Sequence, residues 1–445
     1  MATAPNQPDP DLQAGLQFLR AGWYDRAEPL FRSAHARYGD RPEILHYLAV
    51  CLSQRGSLSE AADLWRKALT KDPNEPMLSF NLGQATRRLG QLDEAARRFR
   101  DTLRRQPGHV EAKLALASLH IDQGRFAAAE REAAEVVANL QETIEKTPED
   151  PRLKPLQARA RNVLGHVLYR MGHLEPAVAV LDLAVADAGD DQGRRAQIMG
   201  DRALALGAMN RHDDAIAEAH KALELAPQSP SLNHVLGFVL YFAGKASEAI
   251  PPIEKALQLD PGFTTARQTL ANVLTAAGRI DEATGLLRGA LERDPLDRNA
   301  ILQLSFLHIE KGRFAEALEI VAPYLKERPD DAQVLNNQGL ALRGLKRIDE
   351  ARRALKRASR LEQGDPLILT NLGQVLDDAG RHAEARTLHE KALRALPGDT
   401  RLLANYGVCL AALGEKDKAR ETLDAALAAD PNNEGALAAR LKLDA

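Results

Sequence analysis

A six-residue phrase, Gly-x-x-x-x-Ala, recurs along the 445 residues of the chain and gives it a regular period. The first four copies are 34 residues apart, and so are the last seven; the copy between them lies 48 residues after the fourth and 38 residues before the next. A period of about 34 residues is typical of stacked repeats, because one repeat of this size cannot bury its apolar face alone. The alanines of the phrase are Ala27, Ala61, Ala95, Ala129, Ala177, Ala215, Ala249, Ala283, Ala317, Ala351, Ala385 and Ala419.

Each repeat is predicted to form two helices, an A helix and a B helix, joined by a tight turn. Gly stands five residues before the Ala, where the A helix must end, except at Asn210 and Lys346. Eight repeats close with a Pro, which cannot continue the B helix. A small residue always stands twelve positions before the Ala, where we expect the two backbones to come closest. These small residues are Gly15, Ala49, Gly83, Ala117, Gly165, Ala203, Gly237, Ala271, Ser305, Gly339, Gly373 and Gly407.

A Leu directly before the small residue recurs as well, as at Leu48, Leu82 and Leu116. With the small residue, the Ala and the closing Pro, this pattern resembles the tetratricopeptide repeat (TPR) family. The resemblance implies an all-α fold: a right-handed solenoid of about twelve helix-turn-helix repeats, with a concave groove lined by the A helices. It covers residues 8–433, which leaves 1–7 as a disordered N-terminus. Residues 434–445 are predicted to form a C-terminal solvating helix that covers the last repeat, with apolar residues at Leu437 and Leu441.

Two insertions interrupt the period. Fourteen extra residues lie between the fourth and fifth repeats, around 136–156, and either lengthen both flanking helices or form a longer loop. Four extra residues lie within 187–195, a Gly- and Asp-rich stretch that predicts a loop. We therefore divide the array at about residue 150, into repeats 1–4 (8–150, with an extended last helix) and repeats 5–12 (151–433).

The composition excludes several classes of protein. The formal net charge of −3 argues against sequence-independent nucleic-acid binding, which depends on neutralising phosphates. The first ten residues do not read as a secretory signal, and no apolar stretch is long enough to span a bilayer. Arg outnumbers Lys by more than two to one, which with the high Ala content indicates a bacterial source. The expected location is the cytoplasm.

No motif predicts catalysis, a cofactor or a metal. The chain lacks a phosphate-binding Gly-rich loop, a Ser nucleophile elbow and a zinc-protease helix motif, and the repeats leave no segment for a catalytic domain. His382 and His389 are not predicted to bind a metal, because a turn between helices is expected to separate them. Cys51 and Cys409 are interpreted as buried packing thiols. The chain is therefore predicted not to be an enzyme.

Side-chain amides recur two residues before the small position, and we call those of the last four repeats the amide row. An amide can pair with both the N–H and the C=O groups of an extended peptide, whatever its sequence. The row resembles the asparagine ladder in the superhelix of O-GlcNAc transferases, which implies a peptide-binding groove. The alternative is that these amides only bridge neighbouring helices. The row consists of Gln303, Asn337, Asn371 and Asn405, and Asn81 holds the same position alone in the third repeat.

Aromatic and charged residues are predicted to complete the groove. The aromatic ones, Tyr169, Phe238, Tyr241 and Phe242, would hold an apolar anchor of a ligand; ordinary packing between repeats is the alternative. Arg87 and Arg88 end an A helix and would suit an acidic ligand. Gln374 lies beside Asn371, where Asp377 and Asp378 would select the opposite charge.

These patterns favour a non-catalytic scaffold or adaptor that binds an extended peptide segment of a partner protein in the concave groove. One alternative is the substrate-recognition subunit of an enzyme that acts in trans, such as a glycosyltransferase. Another is self-assembly into a homo-oligomer. Neither nucleic-acid binding nor membrane insertion is predicted.

Overall fold

The structure is a computed structural model, and it describes residues 10–444. These residues form 25 α-helices and no strand, which confirms the predicted all-α fold of helix pairs. The A helices are α1 (Pro10–Arg20), α3 (Pro42–Gln54), α5 (Pro76–Arg88), α7 (Val110–Asp122), α9 (Leu153–Arg170), α11 (Gln192–Ala208), α13 (Pro230–Phe242), α15 (Thr264–Ala276), α17 (Arg298–Glu310), α19 (Ala332–Gly344), α21 (Pro366–Asp378) and α23 (Thr400–Ala412). The B helices are α2 (Tyr24–Tyr38), α4 (Leu58–Lys71), α6 (Leu92–Arg105), α8 (Phe126–Lys146), α10 (Leu174–Asp187), α12 (His212–Leu225), α14 (Ala246–Leu259), α16 (Ile280–Arg293), α18 (Phe314–Glu327), α20 (Ile348–Leu361), α22 (His382–Ala395) and α24 (Lys416–Ala429), followed by α25 (Glu434–Asp444).

The turn from A to B helix has one backbone conformation throughout. The residue five before the repeat Ala has a positive φ in every repeat, including the two exceptions to Gly, Asn210 at 59° and Lys346 at 61°. This left-handed conformation ends an A helix, and Gly adopts it without the steric cost that a side chain brings. At the other end of the repeat, the closing Pro stands two residues beyond the last residue of the B helix, as at Pro73 after α4.

The two helices of a pair meet at the predicted small position. In the seventh repeat, a Cβ on Gly237 would lie 2.2 Å from Ile253 Cγ1 and 3.0 Å from the main-chain oxygen of Ala249. Gly407 faces Leu423 in the same way. Wherever the small residue is Gly, a large partner stands four residues after the repeat Ala, so one turn of the B helix fills the space that the Gly leaves.

Both insertions lengthen helices. The fourteen residues extend α8 by seven and α9 by five relative to their neighbours, and the connection 147–152 takes the other two. The loop predicted within 187–195 is wrong, because the four extra residues form the first turn of α11 and the connection 188–191 keeps the usual length. The physical reason is the N-cap: the carboxylate of Asp191 accepts from the main-chain N–H of Arg194 at 2.9 Å and starts the helix early.

The chain divides into two compact units, unit 1 ending at Pro261 and unit 2 beginning at Gly262. The division predicted at about residue 150 stays a prediction. Within unit 1, α8 and α9 pack against each other across that point, around a cluster that includes Leu114, Val136 and Leu140. The disordered N-terminus predicted for residues 1–7 lies outside the described residues.

The predicted C-terminal helix is present as α25, which packs on α23 and α24. Its packing face differs from the prediction, because Leu437 and Leu441 are exposed and Ala436 is fully buried instead. Ala436 belongs to an apolar cluster with Leu423 and Ala426 of α24, and Ala439 and Leu443 pack against this cluster. Ala436, Ala439 and Leu443 are spaced three and four residues apart and share one face of α25, which leaves Leu437 and Leu441 on another face.

Candidate functional site

Most consecutive A helices within each unit pack side by side, and they form a surface that we call the A-helix face. In unit 2 this face carries the amide row. Asn337 is buried, and its Nδ2 donates to the main-chain oxygen of Leu302 at 3.1 Å and to Ser305 Oγ at 3.0 Å. Asn371 Nδ2 donates to Asn336 Oδ1 at 2.8 Å. Each of these bonds joins one A helix to the preceding A helix.

The first and last amides of the row each keep one buried polar atom unpaired. Gln303 Nε2 donates to Asn272 Oδ1 at 3.0 Å and to the main-chain oxygen of Gln268 at 3.3 Å. Its Oε1 and the Nδ2 of Asn405 are buried and have no hydrogen-bond partner within the described chain. The hydrogen bonds of Gln303, Asn337 and Asn371 therefore match the alternative left open by the sequence, a bridge between neighbouring helices.

The charged groups beside the amide row are paired within the chain. Gln374 Oε1 accepts from Arg343 Nη1 at 2.7 Å, and Arg343 Nε donates to Asp378 Oδ2 at 2.6 Å. Asp377 does not accompany Asp378 on this surface, because its carboxylate bonds two histidines of the next helix. Asp377 and Asp378 were predicted to select a cation. Only Asp378 lies beside Gln374, and Arg343 already neutralises its charge.

In unit 1 the A-helix face contains a cavity of about 340 Å³ lined by α5, α7, α9 and α11. At one end Arg87 Nε donates to Asp122 Oδ2 at 2.8 Å, and at the other His166 Nδ1 lies 3.9 Å from Asp201 Oδ1. Between them, Asn162 Oδ1 is buried without a hydrogen-bond partner in the described chain. The remaining lining residues are Ser118, Ile121, Val163 and Gln197.

Other predicted site residues of unit 1 lie on two of the helices that line this cavity, α5 and α9. Tyr169 follows His166 on α9, with 6.3 Å between the ring centroids, and burial raises the pKa of its hydroxyl. Asn81 and Arg88 both lie on α5; Asn81 is half-buried, whereas Arg88, the last residue of that helix, is exposed.

The aromatic residues predicted for the groove form a cluster on α13. The rings of Phe238 and Phe242 are 4.6 Å apart, and the rings of Tyr241 and Phe242 are 5.4 Å apart. Phe242 is 57% exposed, whereas Phe238 and Tyr241 are half-buried. His234 extends the cluster one turn back, 5.9 Å from Phe238, and burial lowers the pKa of its imidazole. The cluster is an apolar surface in contact with water, so packing between repeats does not account for Phe242.

A group of metal-binding residue types lies where α21, α22 and α23 meet. Asp377 Oδ1 is 2.8 Å from His382 Nδ1, and Asp377 Oδ2 is 3.0 Å from His389 Nε2. Burial alone would raise the pKa of Asp377, but hydrogen bonds from His389, His382 and Cys409 lower it. Burial, with Asp377 nearby, raises the pKa of the Cys409 thiol to about 12. The helix–helix turn predicted between His382 and His389 is wrong, because α22 begins at His382 and carries both.

Tetratricopeptide repeat models match residues 12–76, 80–151, 201–263, 240–295, 274–338, 332–365 and 378–443, and a tetratrico peptide repeat model matches 150–231. These matches extend from residue 12 to residue 443 with two short gaps. The chain belongs to the tetratricopeptide repeat family. TPR proteins bind protein partners. No curated protein matches this TPR chain in sequence.

Solved structures resemble the TPR chain over most of its length. The crystal structure of yeast Tom70 matches 92% of this chain and 96% of its own, with a TM-score of 0.53 and 17% identity. The crystal structure of the APC/C hetero-tetramer Cut9-Hcn1 matches 96% of this chain and 95% of its own, with a TM-score of 0.47 and 13% identity. The likeness to Tom70 supports the TPR fold alone. No described helix is long and apolar enough to cross a membrane.

Sequence reasoning missed several residues of the unit 1 cavity. Asp201 stands two residues before the small residue of its repeat, which is the position of the amide row, so the TPR period could have found it. Asn162, Asp122 and Gln197 occupy other positions of their repeats, and no recurring pattern marks them. They line the cavity because neighbouring A helices of the TPR array bring different positions together.

Proposed function

We propose that this TPR protein is a non-catalytic scaffold that holds an extended segment of a partner protein on the A-helix face of unit 1. The observation that carries the proposal is the aromatic cluster on α13, where Phe242 is 57% exposed in a chain with 4% aromatic residues. An exposed aromatic beside two half-buried ones offers a partner a rigid apolar surface at a small cost in side-chain entropy. An apolar side chain of the partner would pack on Phe242 and Phe238.

The cavity supplies polar contacts for the same segment. Asn162 Oδ1 would accept a hydrogen bond from the partner, since a buried oxygen without a partner is costly until something donates to it. Asp201 and Asp122 present carboxylates, and Arg87, which already bonds Asp122, would orient rather than attract the ligand. This arrangement favours a segment with a main-chain or cationic donor near its apolar anchor.

The amide row is a separate candidate surface, on the A-helix face of unit 2. Because Asn337 and Asn371 already use their NH₂ groups between helices, they would offer a peptide only their oxygen atoms. Asn405 Nδ2 would donate to a peptide carbonyl. The amide row then serves mainly as an acceptor surface, with Asn405 as its donor.

To test the proposal, a displayed random peptide library is selected for binding to the full chain, and the affinity of one enriched peptide is then measured. Phe242→Ser should weaken binding of that peptide by about thirtyfold, or about 2 kcal/mol, because the aromatic anchor is lost. The matched control is Leu183→Ser, which changes a residue of α10 that is equally exposed, at 52%, but lies on a B helix. Equal effects of the two substitutions, or none, would contradict binding on the A-helix face.

A second set of variants separates unit 1 from the amide row. Replacing Asn337, Asn371 and Asn405 together with Ala should weaken the same peptide less than Phe242→Ser does. Because Asn337 bridges buried groups, the triple variant must first keep its helical circular dichroism signal. If the triple variant remains folded and loses all binding, the main binding site lies in unit 2.

A further inference from the structure

Four side chains from three consecutive helices of unit 2 converge on one point between the eleventh and twelfth repeats. Asp377 lies near the end of α21, His382 and His389 lie on α22, and Cys409 lies on α23. One ligand atom each of Asp377, His389 and Cys409 lies within 4.8 Å of the other two. His389 is 1% exposed and Cys409 is fully buried, so these groups do not meet by chance on a solvated surface.

The repeat itself shows how unusual this group is. His389 occupies the position four residues after the repeat Ala, which fills the space beside the small residue of the A helix. The other eleven repeats have only apolar residues there, namely Phe31, Trp65, Phe99, Ala133, Leu181, Ala219, Ile253, Leu287, Val321, Leu355 and Leu423. An imidazole at this buried position costs solvation free energy unless it bonds another polar group or a metal.

The other cysteine of the chain provides an internal comparison. Cys51 occupies the same position of the second repeat as Cys409 does in the twelfth, and it is equally buried. Near Cys51, Leu19 occupies the position that corresponds to Asp377, and Phe31 occupies the position that corresponds to His389. Both pack in one apolar cluster with Cys51. The two positions are therefore apolar around Cys51 but hold metal-binding residue types around Cys409.

We propose that Asp377, His389 and Cys409 form a binding site for Zn²⁺. A carboxylate oxygen, an imidazole nitrogen and a thiolate sulfur are all common zinc ligands, and tetrahedral zinc holds them about 2.0 to 2.3 Å from the ion. Three protein ligands leave the fourth position to water or to His382. The charges also balance, since a carboxylate and a thiolate neutralise a divalent ion and leave a buried site without net charge.

Binding changes the protons in a defined way. The Cys409 thiol, whose sulfur lies 3.3 Å from the main-chain oxygen of His382, loses its proton to solvent as the sulfur–zinc bond forms. His389 Nε2 exchanges its bond with Asp377 for the metal, and the imidazole carries its single proton on Nδ1. That nitrogen is buried and has no hydrogen-bond partner within the described chain. His382 bonds the other oxygen of Asp377 and acts as a positioning residue.

The bound ion would link α21, α22 and α23 and so stabilise the packing between the last two repeats. Ligands that bind only the folded state stabilise it by mass action. Zinc should therefore raise the melting temperature of unit 2.

The experiment uses the full chain, stripped with a chelator and titrated with Co²⁺, which replaces zinc and is visible. We expect one equivalent to give a thiolate-to-cobalt charge-transfer band together with the visible bands of tetrahedral cobalt, and Zn²⁺ to abolish both. Cys409→Ser should remove the charge-transfer band, whereas Cys51→Ser, the same change at the same position of another repeat, should leave it intact. His382→Gln should weaken binding by about tenfold, as expected for a group that orients a ligand.

Two results would overturn the site: no such band in the wild-type chain, or a band that survives Cys409→Ser. If Cys409→Ser does not fold, His389→Leu replaces it, because Leu is the residue that several other repeats have at this position. This variant should keep its helical signal and lose the rise in melting temperature with zinc. An equal rise in the variant and the wild type would also contradict the proposal.

Discussion

Glu132 on α8 is an acid whose side chain is 31% exposed and faces His120 of α7. Its Oε2 lies 3.2 Å from His120 Nδ1, but neither atom completes a hydrogen bond of good geometry. Burial raises the pKa of Glu132 from 4.5 to about 7, and burial also lowers the pKa of His120. The folded chain therefore holds a proton on Glu132 at a pH where the unfolded chain has lost it.

The stability of unit 1 should depend on pH through this group. Its contribution is full below about pH 4.5 and is lost as the pH rises to about 7, because only the unfolded state ionises freely in that window. Glu132→Gln should make unfolding less dependent on pH there and raise the free energy of unfolding above pH 7 by roughly 1–3 kcal/mol. Urea unfolding at several pH values measures this, with Glu149→Gln, a change at an exposed residue of the connection 147–152, as the control. A variant whose stability falls in parallel with the wild type would contradict the assignment to Glu132.

The hydrogen bonds of individual side chains could not be predicted from the sequence. The period placed Asn337 and Asn371 on an A helix in the correct row, because position within a repeat follows from counting. It could not say which way each NH₂ group points, since their acceptors, Leu302 and Asn336, lie 35 residues earlier. The group around Asp377 was missed for the same reason: its residues meet only after three helices have packed.

At the scale of the helix pair, the small residue of the A helix should be essential to packing. A Cβ at position 237 would lie 2.2 Å from Ile253 Cγ1, so Gly237→Ala forces the two helices of the seventh repeat apart. We expect a loss of about 1–3 kcal/mol, which exceeds the gain of about 0.5–1 kcal/mol that Ala brings to a helix. The matched control is Gly207→Ala on α11, where the nearest atom would lie at an ordinary 3.5 Å.

Thermal unfolding followed by circular dichroism compares the two glycine variants. Gly237→Ala should lower the melting temperature of unit 1, whereas Gly207→Ala should leave it unchanged or raise it. Equal shifts in the two variants would show that close packing of the pair is not what Gly237 provides.

Helix pairs, turns and the closing Pro were predictable from the sequence, because each depends on residues close together in the chain. The insertions were harder. Both a loop and a longer helix fit the Gly- and Asp-rich stretch before α11, and the outcome depended on one carboxylate, Asp191, which caps the helix. Local composition favoured a loop, and the N-cap favoured a helix.

For the whole molecule, the boundary between Pro261 and Gly262 should separate two parts that fold independently. Fragments 1–261 and 262–445 should each give a helical spectrum and a cooperative melt, because each retains its own apolar clusters. A cut at residue 150 is the matched comparison, since it divides the cluster of Val136, Leu140 and Ala160 between two fragments. Fragments cut at 150 that melt as well as those cut at 261 would favour the boundary predicted from the sequence.

Packing within each unit joins helices that are neighbours, or next neighbours, along the chain. Contacts of such short range are formed at a low cost in loop-closure entropy and are associated with fast folding. A ribosome adds residues one at a time, at about 5 to 20 per second, and each pair of helices can pack as soon as it emerges. We therefore expect the order of synthesis to be the order of folding, so that the N-terminal repeats are already compact while the junction around His389 is still being translated.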